Sequence, residues 1–339
     1  MQKSLIGKCV ACLLGVGLLA FTIGQAKADP VKIRIGWIAA PGELIAIMFD
    51  PPGVAKHRGV TYEWDPIHFQ ASPNQITSLA AGELDIAALG FSSVTLAIQN
   101  AGLKDLRIFA DEFQNGAQGY FSTRYSVLKD SPIQTVEDLK GKVVATNGIG
   151  AGVHILMVGG LVKHGLQDKR DYTTIEVAFP NMRSVLTEHK ADLITNTLPF
   201  AMTPEMQAVT RTLFTANEGF GASDLSFWTA RQGFLEKNRA AVVDLLEDYV
   251  RTIRWYMDPA NHDAAVKIVA NFFKLQPESF QSWLFTKNDW YRSLDAVPDI
   301  AVLQSNIDLT AKLGFLKSTL DIKPYVDLGL VKEAAARVK

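Results

Sequence analysis

The stretch Gln75–Ser93, QITSLAAGELDIAALGFSS, shows how hydrophobic and polar positions are arranged along the chain. Ile76, Leu79 and Ala80 share one face of a short helix, Gly82 stops it, and Leu84–Leu89 is an apolar run of strand length. A polar turn, Gly90-Phe91-Ser92-Ser93, follows, and the pattern VTLAIQNA is helical again. A strand ending in Gly and two serines ahead of a helix presents N–H groups and hydroxyls at a helix N-terminus, which suits an anion or polar ligand. An ordinary serine N-cap explains the same residues.

The residues before this stretch alternate in a similar way. Val31–Ile38 alternates apolar and charged positions and then becomes apolar, which predicts a first strand ending at the turn Ala39–Glu43. Trp37 then sits beside that turn. Leu44–Phe49 reads as a helix stopped by Asp50-Pro51-Pro52-Gly53, and Val60–Trp64 as a strand broken by Asp65-Pro66. Ile67-His68-Phe69 stays extended, and Ser72-Pro73-Asn74 opens the helix at Gln75. Strands and helices alternate as in a parallel α/β lobe. Ligands in such sheets bind beyond the carboxyl ends of strands, the edge that holds the turns at Trp37–Gly42 and Gly90–Ser93.

A second set of elements repeats this logic. Leu106–Ala110 and Tyr120–Leu128 are extended, Thr135–Asp138 opens a short helix with capping-box character, and Lys142–Thr146 is a strand. It runs into the glycine-rich turn Asn147–Gly152 and then the apolar helix Val153–His164. Ile175–Ala178 and Ala191–Thr195 are strands around a helix at Arg183–His189. Leu79, Asp85 and Ile86 match Leu186, Asp192 and Leu193 at a constant offset, which indicates two lobes of similar build. After an extended Ser226–Ala230, helical periodicity dominates in Ala240–Tyr256, Asp263–Phe273, Pro277–Trp283, Ile300–Leu313 and Val331–Val338.

The N-terminus changes the picture of where the chain works. Lys3 and Lys8, the apolar run Val10–Ile23 and Ala26-Lys27-Ala28 form a secretory signal peptide pattern with cleavage before Asp29. Both cysteines, Cys9 and Cys12, lie within it, so the mature chain is expected in an oxidising compartment without a disulfide. Without Lys3, Lys8 and Lys27 there are 31 basic against 35 acidic side chains. No basic run points to nucleic acid.

Three segments resemble the periplasmic substrate-binding proteins of nitrate/sulfonate/taurine-type ABC importers, a group that includes binders of pyrimidine thiamine precursors. They are Leu79–Ala87, Asp130–Ile133 with Val136–Ala145 (SPI…VEDLKGKVVA), and Ala191–Leu193 with its polar turn. The resemblance covers nearly all of the mature chain. It implies an α/β, two-lobed type II periplasmic-binding-protein-like fold with a ligand cleft between the lobes and extra C-terminal helices. Residues 29–117 with 227–339 would form one discontinuous lobe and 118–226 the other. It also implies closure by hinge motion, a monomer in the periplasm, delivery to an ABC permease with its cytoplasmic ATPase, and no cofactor.

Candidate ligand contacts follow from the turns. Gly90, Phe91, Ser92 and Ser93 form one jaw, and Asn147, Gly150 and Gly152, with His154 in the first turn of the next helix, form the other. Trp37, Ala40 and Gly42 make a wall, Gln75 stands at a helix start, and Asn196 and Thr197 end the strand that matches the opening stretch. Phe91, Phe179 and Trp228 are candidate aromatic surfaces, and core packing is the competing explanation for each. The ligand expected is a small organic anion, an alkyl or aryl sulfonate or a carboxylate. A pyrimidine-type compound, an enzyme on the same fold and a ligand-sensing domain are the alternatives. The six histidines are scattered without HExxH or paired metal spacing, and there is no G-x-S-x-G elbow, which leaves an enzymatic or metal reading little to stand on.

Overall fold

The computed structural model describes residues 29–338, so the signal-peptide segment lies outside the described residues. Among the described residues ten strands form two five-stranded sheets. The first contains β1 (Val31–Trp37), β2 (Tyr62–His68), β3 (Ile86–Leu89), β4 (Leu106–Asn115) and β10 (Ser223–Arg231), in the order β2-β1-β3-β10-β4. The second contains β5 (Arg124–Leu128), β6 (Lys142–Thr146), β7 (Tyr172–Glu176), β8 (Leu193–Asn196) and β9 (Thr210–Thr215), in the order β7-β6-β8-β5-β9. In each sheet three parallel strands meet an antiparallel one that arrives from a crossover between the sheets. This is the expected two-lobed α/β architecture.

Local chemistry explains where the elements differ from the pattern. β2 continues through Asp65-Pro66, with Pro66 opposite Ile35. It is the edge strand, where a residue lacking an N–H leaves no inner ladder bond unmade. The Gly90–Ser93 turn is the first turn of a helix, Phe91–Gln99, with Gly90 as its N-cap. Leu44–Ile47 and Glu137–Leu139 are single 3₁₀ turns. At the latter Asp138 accepts from the N–H groups of Gln134 and Thr135, both at 2.9 Å, which replaces the expected capping box. A full capping box forms instead at Thr215 and Glu218, ahead of helix Ala216–Phe220. β9 was not evident in the pattern because its TRTLFT run mixes polar and apolar positions on a strand with intermediate burial.

The 19-residue helix Arg239–Met257 carries the first sheet's core. Val242, Val243, Leu245, Leu246, Tyr249, Val250 and Ile253 all lie at 0% exposure. A second apolar cluster joins the two sheets through Phe91, Phe220, Phe227 and Leu303. Among the described residues no helix is long and apolar enough to cross a membrane.

Candidate functional site

A cavity of about 190 Å³ lies between the sheets, walled by loops from both and by Leu225 of β10. Two helix starts converge on it. Ser93 N and Val94 N bond back to Gly90 O at 3.1 and 3.0 Å, and no side chain caps the helix Phe91–Gln99. The N–H groups of its first residues therefore remain at the cavity wall. Across from it the helix Gly152–Lys163 begins at N-cap Ala151, again without a side-chain cap. A Cβ on Gly152 would sit 3.3 Å from Leu225 Cδ2 and 3.6 Å from Phe91 Cε1, so the two helix tips are close neighbours.

The third wall is the Ala39–Gly42 turn, which contains a cis Ala40-Pro41 bond. A fully buried arginine holds it: Arg292 Nη2 donates to Pro41 O at 2.9 Å and to Gly42 O at 3.1 Å. Arg292 Nη1 donates to Asp289 Oδ2 at 3.1 Å. Asp289 also accepts from Phe285 N at 2.9 Å and Trp290 N at 2.7 Å. Its charge is thereby balanced, although it lines the cavity. From behind, Glu43 accepts from Ile38 N and Ala39 N. Burial, and then the nearby Glu112 carboxylate, push the Glu43 pKa well up.

Aromatic rings fill much of the remaining wall. Trp290 lies 5.2 Å from Phe113 with the rings 31° apart, and Trp283 and Phe179 also face the cavity. Among the described residues the lining contains no Lys, Arg, His or Cys. The arrangement offers donors and apolar faces to a ligand, and no nucleophile–base pair.

Residues 26–270 match the NMT1-like family. The chain belongs to that family. Its relatives include an aliphatic sulfonates-binding protein of Escherichia coli (strain K12), 24% identical over 252 residues, 73% of each chain. The solved structure of the periplasmic aliphatic sulphonate binding protein SsuA from Escherichia coli aligns with TM-score 0.70 at 20% identity, covering 90% of this chain and all of that one. The periplasmic nitrate-binding protein NrtA from Synechocystis PCC 6803 aligns with TM-score 0.70 at 15% identity, covering 92% and 90%. These structural likenesses establish the two-lobed binding-protein fold for this NMT1-like chain.

Of the residues singled out from sequence, the structure brings Ala40, Gly42, Gly90, Phe91, Ser92, Ser93, Asn147, Gly152, Phe179 and Thr197 to the cavity. Six others lie off its wall. Trp37 packs on His68, 4.5 Å between ring centroids, and on Phe272. Gln75 is fully buried: its Oε1 accepts from Ala88 N at 2.9 Å and occupies the space a Cβ on Gly36 would need. Trp228 is fully buried and stacks on Tyr249 at 4.1 Å, because β10 is an inner strand covered on both faces. Asn196 points sideways along its sheet, donating from Nδ2 to Ser126 Oγ at 3.2 Å. Gly150 donates its N–H to His154 Nδ1 at 3.0 Å. That bond makes Nδ1 an acceptor, and burial lowers the His154 pKa, so the ring is a neutral brace for the glycine turn.

Sequence reasoning missed Ser72, Phe113, Leu225, Trp283, Asp289 and Trp290. The segment SWLFTKNDWYR carries one available signal, large aromatics concentrated in a polar loop. Away from the cavity, His57, Asp244 and Glu247 place ligand-type atoms within 4.8 Å of one another. Arg337 pairs with Asp244 at 3.1 Å and Arg251 with Glu247, so these acids belong to a charge-balanced network.

Proposed function

We propose that this chain is the solute-binding component of an ABC importer. It is exported through its signal peptide, works in the periplasm as a monomer, captures a small organic anion between its lobes and passes it to a membrane permease with a cytoplasmic ATPase. The observation that carries this reading is the pair of uncapped helix N-termini, one from each sheet, meeting at a cavity without a catalytic group. Helix N-termini hold sulfonate or carboxylate oxygens with N–H groups and dipole. The names of the relatives, sulfonate- and nitrate-binding proteins, support an oxyanion as the charged group.

Residues 29–117 with 227–339, and 118–226, would be the moving lobes. The crossover segments contain Gly116, Gly119 and Gly221 at positive φ, which suits a hinge. A pyrimidine-type ligand is the second reading, favoured by the aromatic rings at the wall.

Thermal-shift measurement against sulfonates, carboxylates, nitrate, bicarbonate and pyrimidines tests both. A ligand at a hundredfold excess over Kd stabilises the folded state by roughly 2.7 kcal/mol. We expect an upward shift with at least one sulfonate or carboxylate and recovery of that compound unchanged. A shift with pyrimidines alone would favour the second reading, and chemical turnover would mark the chain as an enzyme.

A further inference from the structure

The charge and shape of the cavity narrow the ligand beyond a small organic anion. The helices Phe91–Gln99 and Gly152–Lys163, of 9 and 12 residues, both open onto it. Each N-terminus acts as roughly half a positive charge, so the pair matches about one negative charge. Nothing on the wall supplies more. Asp289, the one charged side chain on the wall among the described residues, is already balanced by Arg292, whose Nη1 and Nη2 donate to Asp289, Trp290 O, Pro41 O and Gly42 O.

Two polar side chains that are more than nine-tenths buried line the cavity without a side-chain hydrogen-bond partner among the described residues. They are Ser92, 4% exposed, and Trp290, 5% exposed. The Trp290 Nε1 lies 3.4 Å from the position a Cβ on Gly42 would take, so its indole N–H sits beside the wall turn. Neither has a protein partner among the described residues, which leaves both donors available to an acceptor inside the cavity. Five aromatic side chains, Phe91, Phe113, Phe179, Trp283 and Trp290, give the wall flat apolar faces beside the polar Ser93, Asn147 and Thr197. Aromatic faces reward a planar ring placed edge-on or offset against them more than a chain of equal area.

We propose that the site selects an aromatic monoanion: a planar ring bearing one singly charged oxyanion group, in preference to aliphatic anions and to dianions. This rests on the solute-binding reading above. The oxyanion would take the N–H groups of the two helix tips and the Ser92 hydroxyl. The ring would lie among the aromatic side chains, with Trp290 offering both a face and a donor.

Calorimetric titration of the purified chain with benzenesulfonate, benzoate, cyclohexanesulfonate and benzene-1,3-disulfonate tests it, with pentanesulfonate, taurine and nitrate as wider controls. We expect benzenesulfonate or benzoate to bind at least about 10-fold more tightly than cyclohexanesulfonate. The disulfonate should be weaker by a similar factor, because its second charge has no partner. In Trp290→Leu the aromatic preference should shrink to within about threefold. Trp290→Phe, which keeps a ring and the packing, should retain most of it. Equal or tighter binding of cyclohexanesulfonate or the disulfonate overturns the aromatic-monoanion assignment while leaving the importer reading intact. Failure of every one of these anions to bind overturns the anion-binding reading itself, and this assignment with it.

Discussion

Asp111 on β4 and Asp224 on β10 bury their carboxyl groups against each other beside the crossover between the sheets. Asp111 Oδ1 and both Asp224 oxygens lack any protein donor, and a proton held on Asp224 and donated to Asp111 satisfies one oxygen of each. Burial raises both: Asp111 to about 7, and Asp224 well above the usual carboxylate range, through desolvation first and then the Asp111 charge.

The sign of the pH effect follows. In the unfolded chain these groups ionise near ~3.9. The folded state binds more protons above that value, so the pair's stabilisation is present at low pH and is lost as pH rises. For Asp111 the loss runs from about 4 to about 7, and Asp224 extends it further. Asp224→Asn supplies a permanent donor to Asp111. We expect it to be more stable than the wild type at pH 8 by roughly 1–3 kcal/mol and to converge with it near pH 4. Urea midpoints across that range check this, and parallel pH curves for the two proteins would refute the shared proton.

Arg292 is the second buried charge with a structural task. Removing it in Arg292→Met leaves Asp289 short of a donor and frees the carbonyls of Pro41 and Gly42. Breaking a buried pair in this way costs about 3–5 kcal/mol. Adding Asp289→Asn removes the stranded charge and should restore part of the loss. Denaturation of both variants measures this, and a double variant no more stable than the single one would show that the pair is not the coupling.

The two-lobe plan was legible because the chain repeats a small device. Asp85 Oδ2 accepts from Arg34 N at 2.9 Å while its own N–H donates to Arg34 O at 3.0 Å. Asp192 makes the same pair with Val143, at 2.9 and 2.7 Å. The offset seen in sequence is thus a clasp at the start of β3 and of β8. Loop ends beyond the strands were also legible, since βα turns are where such sheets open. The Trp283–Trp290 wall was not. It comes from a C-terminal segment whose periodicity describes its own helices and says nothing about which distant turn it packs against. Nor could alternation assign a direction to Trp228, because SFWTA on an inner strand is buried on both faces.

The clasps should differ in strength. Asp85 also receives Arg34 Nε at 2.9 Å and Nη2 at 2.7 Å, whereas Asp192 has Lys142 Nζ only at 4.0 Å. Asp85 is 13% exposed at its side chain and Asp192 is 36%. We expect Asp85→Ala to cost about 2 kcal/mol and Asp192→Ala about 1. Equal losses in chemical denaturation would mean that the guanidinium adds nothing to the backbone bond.

Gly90 and Gly150 separate two reasons for glycine at the site. Gly90 has an ordinary φ of −99°, but a Cβ there would lie 2.5 Å from Leu225 O, a backbone atom of the adjoining strand. The helix tip and β10 must therefore move apart in Gly90→Ala, at about 1–3 kcal/mol, and the tip should lose its aim at the cavity. Gly150 has φ +83° and open space within 4 Å of where a Cβ would sit, so Gly150→Ala meets only the left-handed backbone penalty of about 1–2 kcal/mol. Stability alone will not tell the two apart, and ligand affinity will. Gly90→Ala should weaken benzenesulfonate binding about 10-fold or more, since it displaces the Phe91 and Ser92 N–H groups. Gly150→Ala, off the cavity wall, should stay within about threefold of the wild type. The reverse order in calorimetric titration would place the anion on the Asn147–Gly152 turn and away from the Phe91 helix.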